Sequence, residues 1–458
     1  MHQTTRSLTA WGLGAVVTLG PWAGAALAQL PTPSGAPASK AQGPFSPIPP
    51  KPEPPNLPPP EDGGLKAFHY STDEAIEFYQ RRVAAVPKDY ISLRVLGELH
   101  ERKARETGNL AEYARAEEIL RKAVALNPDV ARARASLAAV LCSRHKFAEG
   151  LEIARALVKQ YPDDIDAAST MGDALLELGR YEEAESTYKT LAQLAPFPEV
   201  FARQANLAEI RGDVDGAVAL MRRAIEGVKK NNGPEDAAWF QARLGDMLFD
   251  AGKVDEAEAL YRVVPAGVDA LHDATFGLAK VLIARGKLKE ALAQTEKALA
   301  IGPDLHMLAA LADLQTKLGD KPGAEATVRR LDAEALKQAE HSRDVVYFNA
   351  DHDRDLPRAL ELAKKEIAQR ADVFTQDALA WALFKNGKLE EAAQAIDKVL
   401  AVGTKDARIR FHAGMIHAAR GDRARARDLL KQALATNPHF SILGPDQARA
   451  RLAELGEK

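Results

Sequence analysis

Cysteine, aromatic residues and an excess of either charge are all scarce in this sequence, and each scarcity excludes something. One cysteine in 458 residues, Cys142, leaves no intramolecular disulfide framework, no CxxC redox centre and no cysteine-rich zinc site. Sixty-one basic residues stand against 64 acidic ones, so the basic surplus of a nucleic-acid binder is missing and no nucleic-acid partner is expected. Aromatics make up only 6% of the chain, a content that suits stacked units burying a face against each neighbour rather than one large core. Catalytic signatures are absent as well: there is no phosphate-cradling glycine loop, no HExxH and no GxSxG, and the eleven histidines show no ligand spacing. Neither an enzyme nor a cofactor is expected.

The N-terminus differs in kind from the rest. Arg6 precedes an apolar or small stretch from Leu8 to Leu19, and Ala26-Leu27-Ala28 places small residues at both recognition positions before Gln29. Residues 1–28 therefore read as an export signal cleaved after Ala28. An uncleaved anchor is the alternative, although Gly12, Gly14, Gly20 and Pro21 interrupt the stretch. Once cleaved, the chain is expected to be periplasmic or secreted, without stable membrane insertion, and Cys142 to be a buried, inert thiol. Between Pro31 and Pro60 fall 13 of the 26 prolines, so residues 29–64 form neither helix nor sheet and read as an extended tether. The runs at Pro47–Pro50 and Pro52–Pro55 leave open a polyproline ligand for another domain.

From Thr72 onward the chain repeats itself. A small residue recurs at Ala75, Ala116, Gly150, Ala184, Ala217, Ala257, Ala291, Ala324, Ala359, Ala392 and Ala426, with spacings of 41, 34, 34, 33, 40, 34, 33, 35, 33 and 34. Five residues before this anchor stands Gly179, Gly212, Gly252, Gly286, Gly319, Gly387 or Gly421, where a helix ending in a left-handed residue takes glycine. Twelve residues after it Pro87, Pro128, Pro162, Pro196, Pro303 and Pro438 stop a helix. Each unit is thus helix, glycine turn, helix, stop. Two insertions are expected in loops: a seven-residue excess near Lys103–Tyr113 and the polar stretch Gly227–Gly233.

Met171-Gly172 with Leu175, Gly179-Arg180-Tyr181, Ala184, Tyr188 and Pro196 carry the strongest copy, followed by Leu244-Gly245, Leu248, Gly252, Ala257 and Tyr261. The pattern resembles the tetratricopeptide repeat (TPR). That resemblance implies an all-α, right-handed α-solenoid of about ten helix pairs, here over residues 65–444, with residues 445–458 as a C-terminal capping helix. The Tyr347 unit is degenerate, because a large residue occupies a small-residue position.

In the family this resembles, positions 2, 5, 9 and 12 of the first helix face the inner groove. Those positions here hold the carboxylates Asp246, Asp273, Asp344 and Asp377 and the rings Trp239, Phe276, Phe374, Trp381, Phe384 and Phe411, whereas Lys280 and Arg408 are among the few bases. Carboxylates around apolar rings suit a protein or peptide partner that is basic and partly apolar. The expectation is a non-catalytic scaffold or adaptor of the bacterial envelope holding a partner peptide or helix in that groove. Two alternatives stay open. The rings could tuck between neighbouring helices, or the protein could be a ligand- or metal-handling accessory of envelope transport or polysaccharide export. The most metal-like cluster is His341, Asp344, Asp351, His352, Asp353 and Asp355; it lacks the glycine and glutamate of a calcium loop, and a turn with Asp355 as N-cap accounts for it. His412 and His417, five residues apart on a helix, point about 140° away from each other and do not share a ligand.

Overall fold

The computed structural model describes residues 71–231, 237–264, 271–302, 304–337 and 343–456. The expected signal, the tether and His341 lie outside the described residues. Within them the chain is all-helical: α1 (Thr72–Ala85), then ten antiparallel pairs, then α22 (Gly444–Glu454). The first five pairs are α2 (Tyr90–Thr107) with α3 (Leu110–Leu126), α4 (Ala131–Ser143) with α5 (Phe147–Gln160), α6 (Ile165–Glu177) with α7 (Tyr181–Leu194), α8 (Pro198–Ile210) with α9 (Val214–Asn231), and α10 (Ala238–Asp250) with α11 (Val254–Arg262). The others are α12 (Leu271–Ala284) with α13 (Leu288–Ile301), α14 (Leu305–Leu318) with α15 (Lys321–Lys337), α16 (Arg343–Asp351) with α17 (Leu356–Ile367), α18 (Val373–Lys385) with α19 (Leu389–Ala401), and α20 (Ala407–Ala419) with α21 (Arg423–Thr436).

The two helices of a pair begin differently, and the sequence dictates how. Five first helices start on an aspartate after the loop: Asp89, Asp164, Asp304, Asp372 and Asp406 each accept a bond from an amide of the first turn. Such a cap satisfies donors that the helix itself cannot use. Second helices have no side-chain cap at Arg180, Lys253, Lys287 and Lys388. The preceding turn does that work. Gly179, Gly252, Gly286 and Gly387 take positive φ, and the amide of the next residue bonds the carbonyl five back, as in Arg180 to Leu175 (2.8 Å) and Lys388 to Leu383 (2.9 Å).

Anchor residues sit where the helices of a pair cross. Ala116, Ala184, Ala257, Ala392 and Ala426 are fully buried. The one glycine among the anchors has a local cause: a Cβ on Gly150 would lie 2.6 Å from the sulfur of Cys142. Burial also pushes the Cys142 thiol far above its ordinary value, leaving it protonated and inert. Gly172 and Gly245 yield in the same way to the buried rings of Tyr188 and Tyr261.

Pairs stack in order, but they also meet out of order. The Ala371 amide donates to the Glu177 carbonyl (2.9 Å), the Val373 amide to the Tyr181 hydroxyl (2.8 Å), and the Asn437 side-chain amide to the Phe249 carbonyl (3.0 Å). Lys317 reaches the Ile442 carbonyl (3.1 Å) and Asp446 (2.9 Å). The glycine turns of the α6/α7, α8/α9 and α10/α11 pairs thus seat on the loops that follow α17, α19 and α21. One buried cluster accordingly joins Cys142, Leu175 and Tyr188 to Trp381, Ile396 and Leu430. The solenoid closes one superhelical turn onto the next, a non-local contact that nearest-neighbour stacking does not require.

This closure has a measurable consequence. A Cβ on Gly179, Gly212 or Gly252 would lie 2.5, 2.3 or 2.5 Å from the carbonyl oxygen of Ala371, Gly403 or Thr436, whereas one on Gly286, Gly319, Gly387 or Gly421 meets nothing within 4 Å. Alanine at the four open turns is expected to cost about 1 kcal/mol for its left-handed backbone. At the three seated turns the clash adds about 2 kcal/mol more. Urea midpoints that fail to separate the two sets would contradict closure.

Three local expectations are corrected. The Lys103–Tyr113 excess is not a loop: it lengthens α2 and α3, leaving only Gly108 and Asn109 between them. Helix α9 runs on through Gly227 to Asn231, so that part of the polar stretch is helical; residues 232 and 233 are outside the described set. Asp355 stands at the N-cap position of α17 but is left-handed (φ 35°) and makes no capping bond, because Pro357 and the strained turn after Asp353 set the helix entry instead.

Candidate functional site

Closure turns the inner groove into a cavity. First helices α8, α10, α12, α14, α16, α18 and α20 face inward around it, and residues 436–447 cover one side. Its volume is about 300 Å³, the low end for ligand pockets. Seven of the ten expected groove residues line it: Trp239 and Asp246 on α10, Asp273 and Phe276 on α12, Asp344 on α16, Phe374 on α18 and Phe411 on α20.

Asp377, Trp381 and Phe384 do not line it, which corrects their assignment to an open surface. Asp377 is fully buried, accepting bonds from the Tyr347 hydroxyl (2.8 Å) and from His412 Nδ1 (2.8 Å). Trp381 is 2% exposed, stacks on His412 at 4.2 Å and on Phe384 at 5.2 Å, and donates its Nε1–H to Asp351 (2.8 Å). The cause is curvature: α16, α18 and α20 pack against one another directly on the inside of the turn, so inward side chains meet neighbouring helices. For these three the tucked-in alternative describes the structure.

The cavity is less one-sidedly acidic than the pattern of positions 2, 5, 9 and 12 suggests. Arg243 pairs with Glu209 and bonds Asn206 (3.2 Å), and Lys280 pairs with Asp246 at 2.6 Å. Asp246 also accepts from the Tyr261 hydroxyl (2.7 Å). Arg408 lies over the Tyr347 ring, 4.7 Å from its centre, and among the described residues no carboxylate is within salt-bridge distance of it. Asp273 has only His272 nearby, at 3.5 Å, and burial raises its pKa. Asp344, like Asp250, has no hydrogen-bonding or ionic partner among the described residues, so Asp273 and Asp344 are two carboxylates open to a ligand. His306 meets Phe276 edge-on at 5.5 Å; burial first, then Arg408 and Lys280, push it down to about 3, so it is neutral. The remaining buried histidines bond fixed groups: His100 to Glu112, His417 to Asp397 and His272 to the Gly302 carbonyl. Among the described residues no group of three His, Cys, Asp or Glu could hold a metal ion.

Asp250 is a cavity group sensitive to pH. It ends α10, where the helix dipole disfavours a negative charge. Burial, with Asp246, Glu209 and Asp406 against Lys280, pushes it up to about 7. Its folded pKa is above the unfolded one, so its contribution to stability is present below about pH 4 and is lost as pH rises towards 7. Asp250→Asn is therefore expected to gain about 2 kcal/mol on the parent at pH 8 and nothing at pH 4. Denaturant titrations at the two pH values check it.

Arg243, Arg343, Asp250 and Asp304 line the cavity without standing at the four groove positions, and only the tight curvature brings them in. His306 does stand at position 2, so the repeat spacing alone points to it.

Sequence families described as tetratricopeptide repeat match residues 102–165, 143–207, 238–262, 272–297 and 378–441. The chain is a tetratricopeptide-repeat protein. Over 74% of its length this TPR protein is 24% identical to "Cellulose synthase operon protein C" of Pseudomonas fluorescens (strain SBW25), and it spans 28% of that relative. Among solved structures it is similar to yeast Tom70 (13% identity, 84% of this chain and 92% of that one, TM-score 0.36). It is also similar to a thermophilic TPR protein of Thermus thermophilus (18% identity, 45% and 99%, TM-score 0.34). No helix among the described residues of the TPR array is long and apolar enough to cross a membrane.

Proposed function

We propose that this TPR protein is a non-catalytic scaffold of the bacterial envelope that holds an extended, basic and partly apolar segment of a partner protein in its central cavity. The observation that carries the reading is the convergence of Trp239, Asp273, Phe276 and Asp344, from three separate helices, on one enclosed space. Rings supply contact area that excludes water, and the two open carboxylates select an amine or guanidinium among apolar neighbours. A helix with its side chains is about 10–12 Å across and overfills such a space, so an extended segment fits better. The leader-like residues 1–28 support export.

A test is to crosslink the full chain in its native envelope, identify the captured protein and titrate its basic segment onto purified protein. Trp239→Ala combined with Asp273→Lys is expected to weaken that binding at least about tenfold, with the thermal midpoint held. Unchanged affinity would overturn the reading. A second reading, an accessory of polysaccharide export, is favoured by the name of the Pseudomonas fluorescens relative and by the half-buried indole of Trp239 in the cavity wall, a platform for a sugar face. Trp239 fluorescence that responds to soluble cello-oligosaccharides and not to the basic segment would favour it.

A further inference from the structure

The superhelix that closes on itself in the middle of the chain leaves its two edges open at the ends. Inside the molecule, turns from three successive pairs, at Gly179, Gly212 and Gly252, seat on three successive loops, at Ala371, Gly403 and Thr436, in the same order. Among the described residues, the corresponding loops of the N-terminal pairs carry no such turns. Large apolar side chains stand out from them instead: Leu126 is 42% exposed, Tyr161 37% and Phe197 53%. At the other end, the turns at Gly387 and Gly421 are open, with nothing within 4 Å of a Cβ built on either.

We infer that a second copy of this chain covers these edges, the turns at Gly387 and Gly421 of one copy seating on the loops at Leu126 and Tyr161 of the next. Register supports it, because 34 residues separate the two glycines and 35 separate Leu126 from Tyr161, one repeat in each case. The same element types in the same order already form the intramolecular contact, so the intermolecular one continues it. Charge favours it too. Exposed Lys388, Arg420 and Arg423 flank the two turns, while Asp129 and Asp163 lie exposed beside the two loops. The pairs that Lys388 and Arg420 make, with Glu391 and Glu390, are solvent-exposed and weak, so these bases remain available to a neighbour. An apolar stripe rimmed by charge marks a contact surface. Because the two faces differ, each copy that docks keeps one edge open, and assembly runs head to tail without closing.

Sedimentation velocity of the full chain over a concentration series tests this, with circular dichroism to confirm folding. The parent is expected to grow past the dimer as concentration rises, less so at high salt. Leu126→Glu with Tyr161→Glu, on the loop edge, should be monomeric, and so should Lys388→Glu with Arg420→Glu, on the turn edge. An equimolar mixture of these two variants should give a one-to-one dimer and nothing larger, since each retains one working edge. If the glutamates disturb folding, Leu126→Ser with Tyr161→Ser replaces the first variant. A parent that stays monomeric, a variant that still assembles, or a mixture that stays monomeric overturns the inference.

Discussion

Trp381→Ala is expected to cost about 3–5 kcal/mol of stability, the range for truncating a large buried ring. Sequence position places this tryptophan on the inner face, where its loss would weaken a ligand. The structure places it elsewhere. Its indole lies between His412 and Phe384, at 4.2 and 5.2 Å, and holds the Asp351 carboxylate through Nε1. Truncation opens a void beside the Tyr347, Asp377 and His412 cluster and removes the donor from Asp351. Trp381→Phe, which keeps most of the packing and loses only the bond, should cost about 1–2 kcal/mol. Trp239→Ala, in the cavity wall and only half-buried, should cost clearly less than Trp381→Ala. Urea titration of the three variants separates these outcomes. Parental stability in Trp381→Ala together with lost partner binding would return Trp381 to the binding surface.

The second large effect is expected at Arg370. Its guanidinium is buried, with Nε 2.5 Å from Glu177 and 2.9 Å from Asp372. Glu177 belongs to α6 and Arg370 to the loop after α17, so this ion cluster bolts one superhelical turn to the other. Arg370→Met leaves the Glu177 carboxylate buried without its paired cation, and breaking such a cluster from one side costs about 3–5 kcal/mol. Replacing Glu177 by leucine in the same chain should restore most of that loss. Asp372 keeps Arg343 at 3.3 Å and its capping bonds to α18, and an apolar pair tolerates burial. The single variant should also loosen the closed shape, read as a larger radius of gyration by small-angle scattering. Unchanged stability and radius in Arg370→Met would show that stacking alone holds the array.

Much of the fold was legible because TPR architecture is local. The glycine five residues before seven of the anchors and the proline twelve after six of them act within a few residues of themselves, so spacing reveals them. Gly179, Gly252, Gly286 and Gly387 adopt the left-handed backbone that their spacing implies. Insertions were harder to place. The Lys103–Tyr113 excess is rich in helix-forming Ala, Arg and Glu, and Gly108 with Asn109 was enough to make the turn. The length went into helix rather than loop.

The candidate site was legible only in part, and the failures have one cause. Positions 2, 5, 9 and 12 say which way a side chain points from its own helix. They do not say how sharply the next helix bends towards it. Where curvature leaves room, as around Trp239, Asp273 and Asp344, the inner face becomes a cavity wall. Where α16, α18 and α20 crowd together, the same positions become packing, and Asp377 and Trp381 are sealed.

The sequence by itself therefore determined the repeat, its helix ends, the small residues at the crossings and the all-α solenoid, because each depends on contacts within a pair or between neighbours. Tertiary structure alone decided that the solenoid closes on itself through Arg370, Glu177 and the turns at Gly179, Gly212 and Gly252. It also decided which inward residues face a cavity and which edges stay open at the ends. Those outcomes depend on small rotations accumulated over many repeats, and contacts nearly 200 residues apart leave no trace in local spacing.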